Sequence, residues 1–158
     1  MSKAASSALT LKRIRKELEK WDTEGDDGLK VDVLSDSRWH VSLVGAEGTI
    51  YAGETYVLVV DFEDDYPMSS PIVQFKVDSV TKSPEHEHCY SNGHICLNIL
   101  GSDWSPALTV KSVMLSILSM LSSATTKKRP DGDSRYSSSH PPGSNPKHTR
   151  WLFDDDKV

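Results

Sequence analysis

Cysteine is scarce in this chain. Only Cys89 and Cys96 occur among 158 residues, too few for the disulfide framework of a small secreted domain. In a reducing compartment both are expected as free thiols. Long apolar runs are missing as well. Nothing approaches the roughly 20 residues that a membrane-spanning helix needs, and residues 1–10 lack the apolar segment of a secretory signal. An excess of basic charge is also absent. The net charge of −5 argues against nucleic acid as the principal partner. Apolar and charged residues make up 37% and 26%, ordinary values for a globular protein. The length suits one domain with its own hydrophobic core. An intracellular soluble protein is the default expectation.

What is present begins with an amphipathic helix. Leu11, Ile14, Leu18 and Trp21 recur at helical spacing and form one apolar stripe. Lys12, Arg13 and Lys16 lie elsewhere on the helix and read, without context, as a solvated basic face. The acidic, glycine-containing stretch 22–28 ends it. Four strand signals follow: Leu29 to Leu34; Trp39, Val41 and Leu43; Tyr56, Leu58, Val60 and Phe62; and Ile72 to Val77. Short turns join them, which predicts an antiparallel meander. A helix before and a helix after a run of strands predicts an α+β fold. The later helix starts at Thr109, a good N-cap, and carries the stripe Val110, Val113, Met114, Ile117, Leu118 and Leu121.

Between strands and second helix lie about 27 residues, Thr81 to Ala107, without a clear period, and loops of that length are commonly functional. This loop holds both cysteines and three of the six histidines. The cluster His86-Glu87-His88-Cys89 raises a zinc site, but no C-x2-C pair accompanies it. Cys96, preceded by His94, suits a nucleophilic thiol whose pKa His94 or His88 could lower. A Cys/His hydrolase is open on these residues, although no third group that would hold the base is recognisable.

The stretch Tyr90-Ser-Asn-Gly-His-Ile-Cys-Leu-Asn-Ile-Leu100 and the following Asp103-Trp-Ser-Pro-Ala-Leu108 resemble the active-site region of ubiquitin-conjugating enzymes. Phe62-x3-Tyr66-Pro67 with Pro71, and Leu11-Lys-Arg-Ile-Arg-Lys-Glu-Leu18, resemble that family's strand-loop-strand and first helix. The likeness runs from about residue 9 to 124, in order, and is nearest the W-type branch. It implies the family's α+β fold: N-terminal helix, four-stranded meander, long active-site loop and central helix, a catalytic core of residues 1–124. It also implies that an activating enzyme, itself using ATP, loads ubiquitin onto Cys96 as a thioester, so that this chain needs no metal or nucleotide cofactor. Transfer to an amine would follow. W-type resemblance implies the α-amino group of flexible N-termini, with a RING or U-box ligase as partner and the cytoplasm or nucleus as location. The same fold also serves non-catalytic adaptors and carriers of other ubiquitin-like proteins.

Site residues follow from the same likeness. Lys12, Arg13 and Lys16 resemble the face that meets the activating enzyme. Phe62 and Ser105-Pro106-Ala107 resemble the two ligase-binding loops, and Met68 stands where an aromatic is usual. Family members carry His-Pro-Asn ending eight residues before the cysteine, the asparagine supporting the loop and the oxyanion. Here the tripeptide is His86-Glu87-His88. His88 takes the asparagine position and can donate an N–H; His86 is expected to support the loop; Glu87 gives up the fixed φ of proline. The acidic residue that assists the attacking amine falls to Asp131 or Asp133. Residues 125–158 carry four prolines and a net charge of +2. They are expected to form a polar, flexible extension, with Trp151, Leu152 and Phe153 docking locally.

Overall fold

The structure is a computed structural model that describes residues 7–24 and 28–148. The segment Trp151 to Phe153 lies outside the described residues. Helix α1 spans Ala8–Glu24, and the Ser7 hydroxyl caps it by accepting the Thr10 amide at 3.1 Å. Four strands follow: β1 (Leu29–Ser35), β2 (Arg38–Val44), β3 (Thr55–Asp61) and β4 (Ile72–Phe75). They form one sheet in the order β1-β2-β3-β4, antiparallel throughout. The expected meander is therefore present.

Alternation decides which side chains enter the core. In β2 and β3, Trp39, Val41, Leu43, Tyr56, Leu58 and Val60 are buried while their neighbours reach the other face. Helix α2 (Val110–Ser123) lays Val110, Val113, Met114, Ile117, Met120 and Leu121 into the same core. Its start is a capping box in which Thr109 and Ser112 each accept the other's amide. Leu118, expected in the stripe, is only half-buried, and Met120 fills that place.

Edge-to-face aromatics line the end of the core beneath the loops. Trp39 meets Phe62 at 4.9 Å and Phe62 meets Tyr66 at 4.7 Å between ring centroids. A carboxylate joins them: Glu17 is buried on the inward face of α1. It accepts the Val110 amide at 2.8 Å, Arg13 Nε at 2.9 Å and the Tyr66 hydroxyl. The Val110 amide is one of the donors that an α-helix leaves without an internal partner at its N-terminus, where negative charge is also favoured.

The tail departs from expectation. Residues 125–148 are not a free extension but run across the long loop, forming α3 (Asp133–Ser139) and a 3-10 turn at Pro146–His148. Asp133 Oδ1 accepts the Ser91 amide at 2.8 Å. Asn92 Nδ2 donates to the His140 carbonyl at 2.8 Å, and Lys147 Nζ to the Ser70 carbonyl at 2.7 Å. The Tyr136 ring stacks on His140 at 4.1 Å and packs on Tyr90 at 4.2 Å. Polar groups and rings, not an aliphatic stripe, hold this segment, so hydropathy carried little sign of it. The prolines end α3 without preventing it.

Candidate active site

The long loop folds back on itself through two isolated antiparallel bridges, His86 with Cys89 and Cys89 with Ile95. The second sets the chemistry of the two thiols. Residues facing each other across a bridge point to one side, and their neighbours to the other. Cys89 and Ile95 accordingly point into the core, where Cys89 has no exposure at all. Cys96 and His88 point outward as the next pair, joined by the Cys96 amide donating to the His88 carbonyl at 2.9 Å. Cys96 is half-buried and reachable; Cys89 is not. Gly93 makes the turn possible: its φ is +101°, and a Cβ there would sit 2.2 Å from the Phe75 carbonyl oxygen.

Burial pushes the Cys96 thiol up to about 11, and no imidazole or cation among the described residues offsets it. Burial raises Cys89 further. The expected help from His94 is absent because His94 is fully buried and engaged elsewhere. Its Nε2 lies 2.9 Å from the Ser144 carbonyl, which can only accept, so Nε2 carries the proton. Nδ1 then accepts from the Tyr136 hydroxyl at 2.6 Å. Burial lowers its pKa, which suits this neutral tautomer. His94 fastens the tail to the loop. A thiol without an imidazolium partner is a poor fit to a Cys/His hydrolase, which needs a preformed thiolate to attack an amide.

His86 and His88 divide the loop's work. The buried His86 accepts the His88 amide on Nδ1 at 3.0 Å and bonds the Met120 backbone, and burial lowers its pKa. It ties the loop to the end of α2. The His88 ring, 13% exposed, has Nε2 3.8 Å from Glu87 Oε1. It lines a groove of about 610 Å³ with Asn98, Asp103, Ser119 and Met120. The His86 and His88 rings lie 5.4 Å apart between centroids, while Cys89 is turned into the core. Among the described residues no group of three or more His, Cys, Asp or Glu side chains could hold a metal ion.

Of the two tail carboxylates, Asp131 is exposed. Asp133 is half-buried, accepting from the Ser91 amide and from the Ser137 hydroxyl at 3.1 Å. Tyr90 lies within electrostatic reach of both Cys96 and Asp133.

Two expected partner contacts need correction. Phe62 has no exposed surface. It continues the inward set Tyr56, Leu58, Val60, so a ligase cannot touch it without opening the core. Met68, 71% exposed, is the apolar residue presented on that loop. The strand alternation already pointed Phe62 inward. Ser105, Pro106 and Ala107 are exposed as expected, and the two loops are fastened together by Trp104 Nε1 donating to the Pro67 carbonyl at 2.9 Å. On α1, Lys12 and Lys16 are one turn apart and exposed, but Arg13 turns inward. Its Nη2 donates to the Leu108 carbonyl at 2.7 Å and its guanidinium lies 5.7 Å from the Tyr66 ring centroid. Arg13 braces the loop that precedes α2 rather than belonging to the exposed basic face.

Comparison with known proteins agrees with this geometry. The family profile described as "Ubiquitin-conjugating enzyme" matches residues 13–140. The chain is 48% identical over 158 residues to ubiquitin-conjugating enzyme 15 of Arabidopsis thaliana, covering 99% of this chain and 96% of that one. It is 49% identical over 151 residues to ubiquitin-conjugating enzyme E2 W of Caenorhabditis elegans, covering 93% and 96%. The crystal structure of the ubiquitin-conjugating enzyme UbcA1 from Agrocybe aegerita superposes with a TM-score of 0.84 at 40% identity, covering 89% of this chain and 99% of that one. A half-exposed thiol on the outer face of a braced loop, in this fold and with these relatives, leads to one conclusion: the chain belongs to the ubiquitin-conjugating enzyme family and sits with its W-type branch.

Proposed function

We propose that the protein carries ubiquitin as a thioester on Cys96 and passes it to the α-amino group of flexible substrate N-termini, working with an activating enzyme and a RING or U-box ligase. The observation that carries this reading is the opposite orientation of the two thiols across the Cys89–Ile95 bridge, which leaves Cys96 alone accessible. In loading, Cys96 Sγ attacks the thioester carbonyl presented by the activating enzyme. A new C–S bond forms, the old one breaks, and the proton from Cys96 ends on the departing thiol. In transfer, the amine nitrogen attacks the Cys96 thioester, the carbonyl oxygen takes up negative charge, the C–S bond breaks, and an amine proton returns to the Cys96 thiolate. An N–H aimed at that oxygen lowers the barrier. His88, next to Cys96 on the outer face, is the side chain suited to supply it. Lys12 and Lys16 form the face for the activating enzyme; Met68 with Ser105, Pro106 and Ala107 forms the ligase surface.

The acceptor preference has a physical basis. An α-amine titrates near 8 and a lysine near 10.4, so at neutral pH the α-amine offers roughly 200-fold more free base. Asp133, the carboxylate that the family likeness suggests for helping a lysine shed its proton, has its Oδ1 engaged by the Ser91 amide and the Ser137 hydroxyl. An amine that needs no such help is favoured. The test is discharge of the loaded protein onto free lysine against a peptide with an unstructured N-terminus and blocked side-chain amines. Faster discharge to the peptide supports the reading, and faster discharge to lysine sinks it. No ubiquitin adduct at all would point to an adaptor, and an adduct only with another ubiquitin-like protein would point to a different cargo.

A further inference from the structure

Arg129 reads in the sequence as the end of a solvated basic run, Lys127-Lys128-Arg129. The structure puts it elsewhere. Its guanidinium reaches back 40 to 46 positions and makes four hydrogen bonds to the long loop. The two N–H groups of Nη1 serve the Pro84 carbonyl at 2.7 Å and, with one hydrogen shared, the Cys89 carbonyl at 3.2 Å and the Ser83 hydroxyl at 3.3 Å. Nη2 donates to the Ser83 carbonyl at 3.1 Å. All four acceptors are neutral oxygens. Three are backbone carbonyls and one is the Ser83 hydroxyl, so the rigid planar fork reads mainly main-chain geometry.

These acceptors have a pattern. Ser83 and Pro84 stand at the entry of the short segment Glu85-His86-Glu87-His88, and Cys89 stands at its exit. The fork therefore ties the two ends of that segment together. The Tyr51 hydroxyl adds a bond to the Glu85 carbonyl. At the exit, Cys89 is bridged to Ile95, and the His88 carbonyl accepts the Cys96 amide. The position of His88 relative to Cys96 thus depends on how the segment's ends are held. Its middle residue, Glu87, is half-exposed and leaves φ free where proline would fix it. Its ion pair with Lys128, whose Nζ lies 3.4 Å away, is at the surface, and such pairs hold geometry weakly.

We infer that Arg129 is a positioning residue for ubiquitin transfer: by clamping Ser83, Pro84 and Cys89 it holds His88 beside Cys96 and does from the tail what a proline at 87 would do from within the loop. It touches no reacting atom and acts through His88. The inference rests on the thioester reading above.

The experiment uses the full chain with Arg129→Lys, Arg129→Met, His88→Ala and the double variant Arg129→Met/His88→Ala. Loading is followed on non-reducing gels. Single-turnover discharge is measured onto a peptide with a free N-terminus, and melting temperature is recorded for each. Arg129→Met is expected to load within about twofold of the parent and to discharge roughly 10- to 100-fold more slowly, the scale on which small misplacements near a reacting centre act. Arg129→Lys, which keeps charge and some donors, is expected to fall between. In the His88→Ala background, Arg129→Met is expected to add less than about a twofold further loss, because two residues acting through one element are not additive. Equal losses in loading and discharge for Arg129→Lys, the variant least prone to misfold, would overturn the inference, as would multiplying losses in the double variant. If the unaltered protein fails to load at Cys96, the thioester reading has failed, a result separate from any of these.

Discussion

The sheet with its two long helices and the tail that crosses the loop are held by different forces. From α1 to α2 the chain is stabilised by apolar burial: Trp39, Leu43, Leu58, Phe62, Met114 and Ile117 are all shielded from water. From Lys127 to Lys147 the contacts are hydrogen bonds, ion pairs and rings: Arg129 on carbonyls, Asp133 on the Ser91 amide, Tyr136 on His94 and Lys147 on Glu63 and the Ser70 carbonyl. The first kind of contact supplies most of the stability. The second is directional and sets the shape of the cysteine loop. The core makes the domain, and the tail adjusts the site.

The largest expected effect lies in the core. Phe62→Ala is expected to cost about 3–5 kcal/mol in denaturant unfolding, because the ring is enclosed by Trp39 and Tyr66. Met68→Ala is expected to change stability by less than about 0.5 kcal/mol while weakening ligase-stimulated transfer. A Phe62→Ala protein of normal stability that had lost only its ligase response would reverse that assignment.

In the tail, Tyr136→Ala removes the ring stack and the bond to His94 and is expected to cost about 2 kcal/mol. Amide exchange is expected to rise across residues 90–96 and to stay unchanged in β2, β3 and α2. Uniform acceleration along the chain would mean that tail and core are one cooperative unit after all. Tyr136→Phe keeps the ring and loses only the hydroxyl, leaving the His94 Nδ1 acceptor unpaired, for about 1 kcal/mol.

The smallest expected effect is on pH. Burial lowers the pKa of His94, His86 and His40 from the ordinary 6.5. In the window just below 6.5 the unfolded chain therefore binds more protons than the folded one, and stability rises with pH. Stability should be level above about pH 7 and decline from about pH 6.5 downward, before the carboxylates Glu54 and Glu87, whose pKa values are lowered from 4.5, begin to protonate. A melting temperature unchanged from pH 7 to 5 would contradict the neutral His94 assignment.

These differences also explain what could be read in advance. Period-two alternation placed β2 and β3, and the Thr109 cap placed the start of α2, because both signals are local. Cys96 stands out through its flanking residues. Phe62 was misassigned to a partner surface although its own alternation turned it inward. Arg13 was grouped with Lys12 and Lys16, but a one-residue step turns a side chain about 100° round a helix and so off their face. The tail was illegible because its bonds join residues 40 to 84 positions apart and depend on which carbonyls the loop leaves free. Arg129 and Tyr136 gave no sign of their roles without the loop's path.

The most direct test of the account takes the two thiols separately. Unaltered protein, Cys96→Ala and Cys89→Ala are each incubated with activating enzyme, ATP and ubiquitin and run without reductant. A reductant-sensitive adduct is expected with the unaltered protein and with Cys89→Ala, and none with Cys96→Ala. An adduct that survives Cys96→Ala, or one that is lost from a folded Cys89→Ala, would contradict the account.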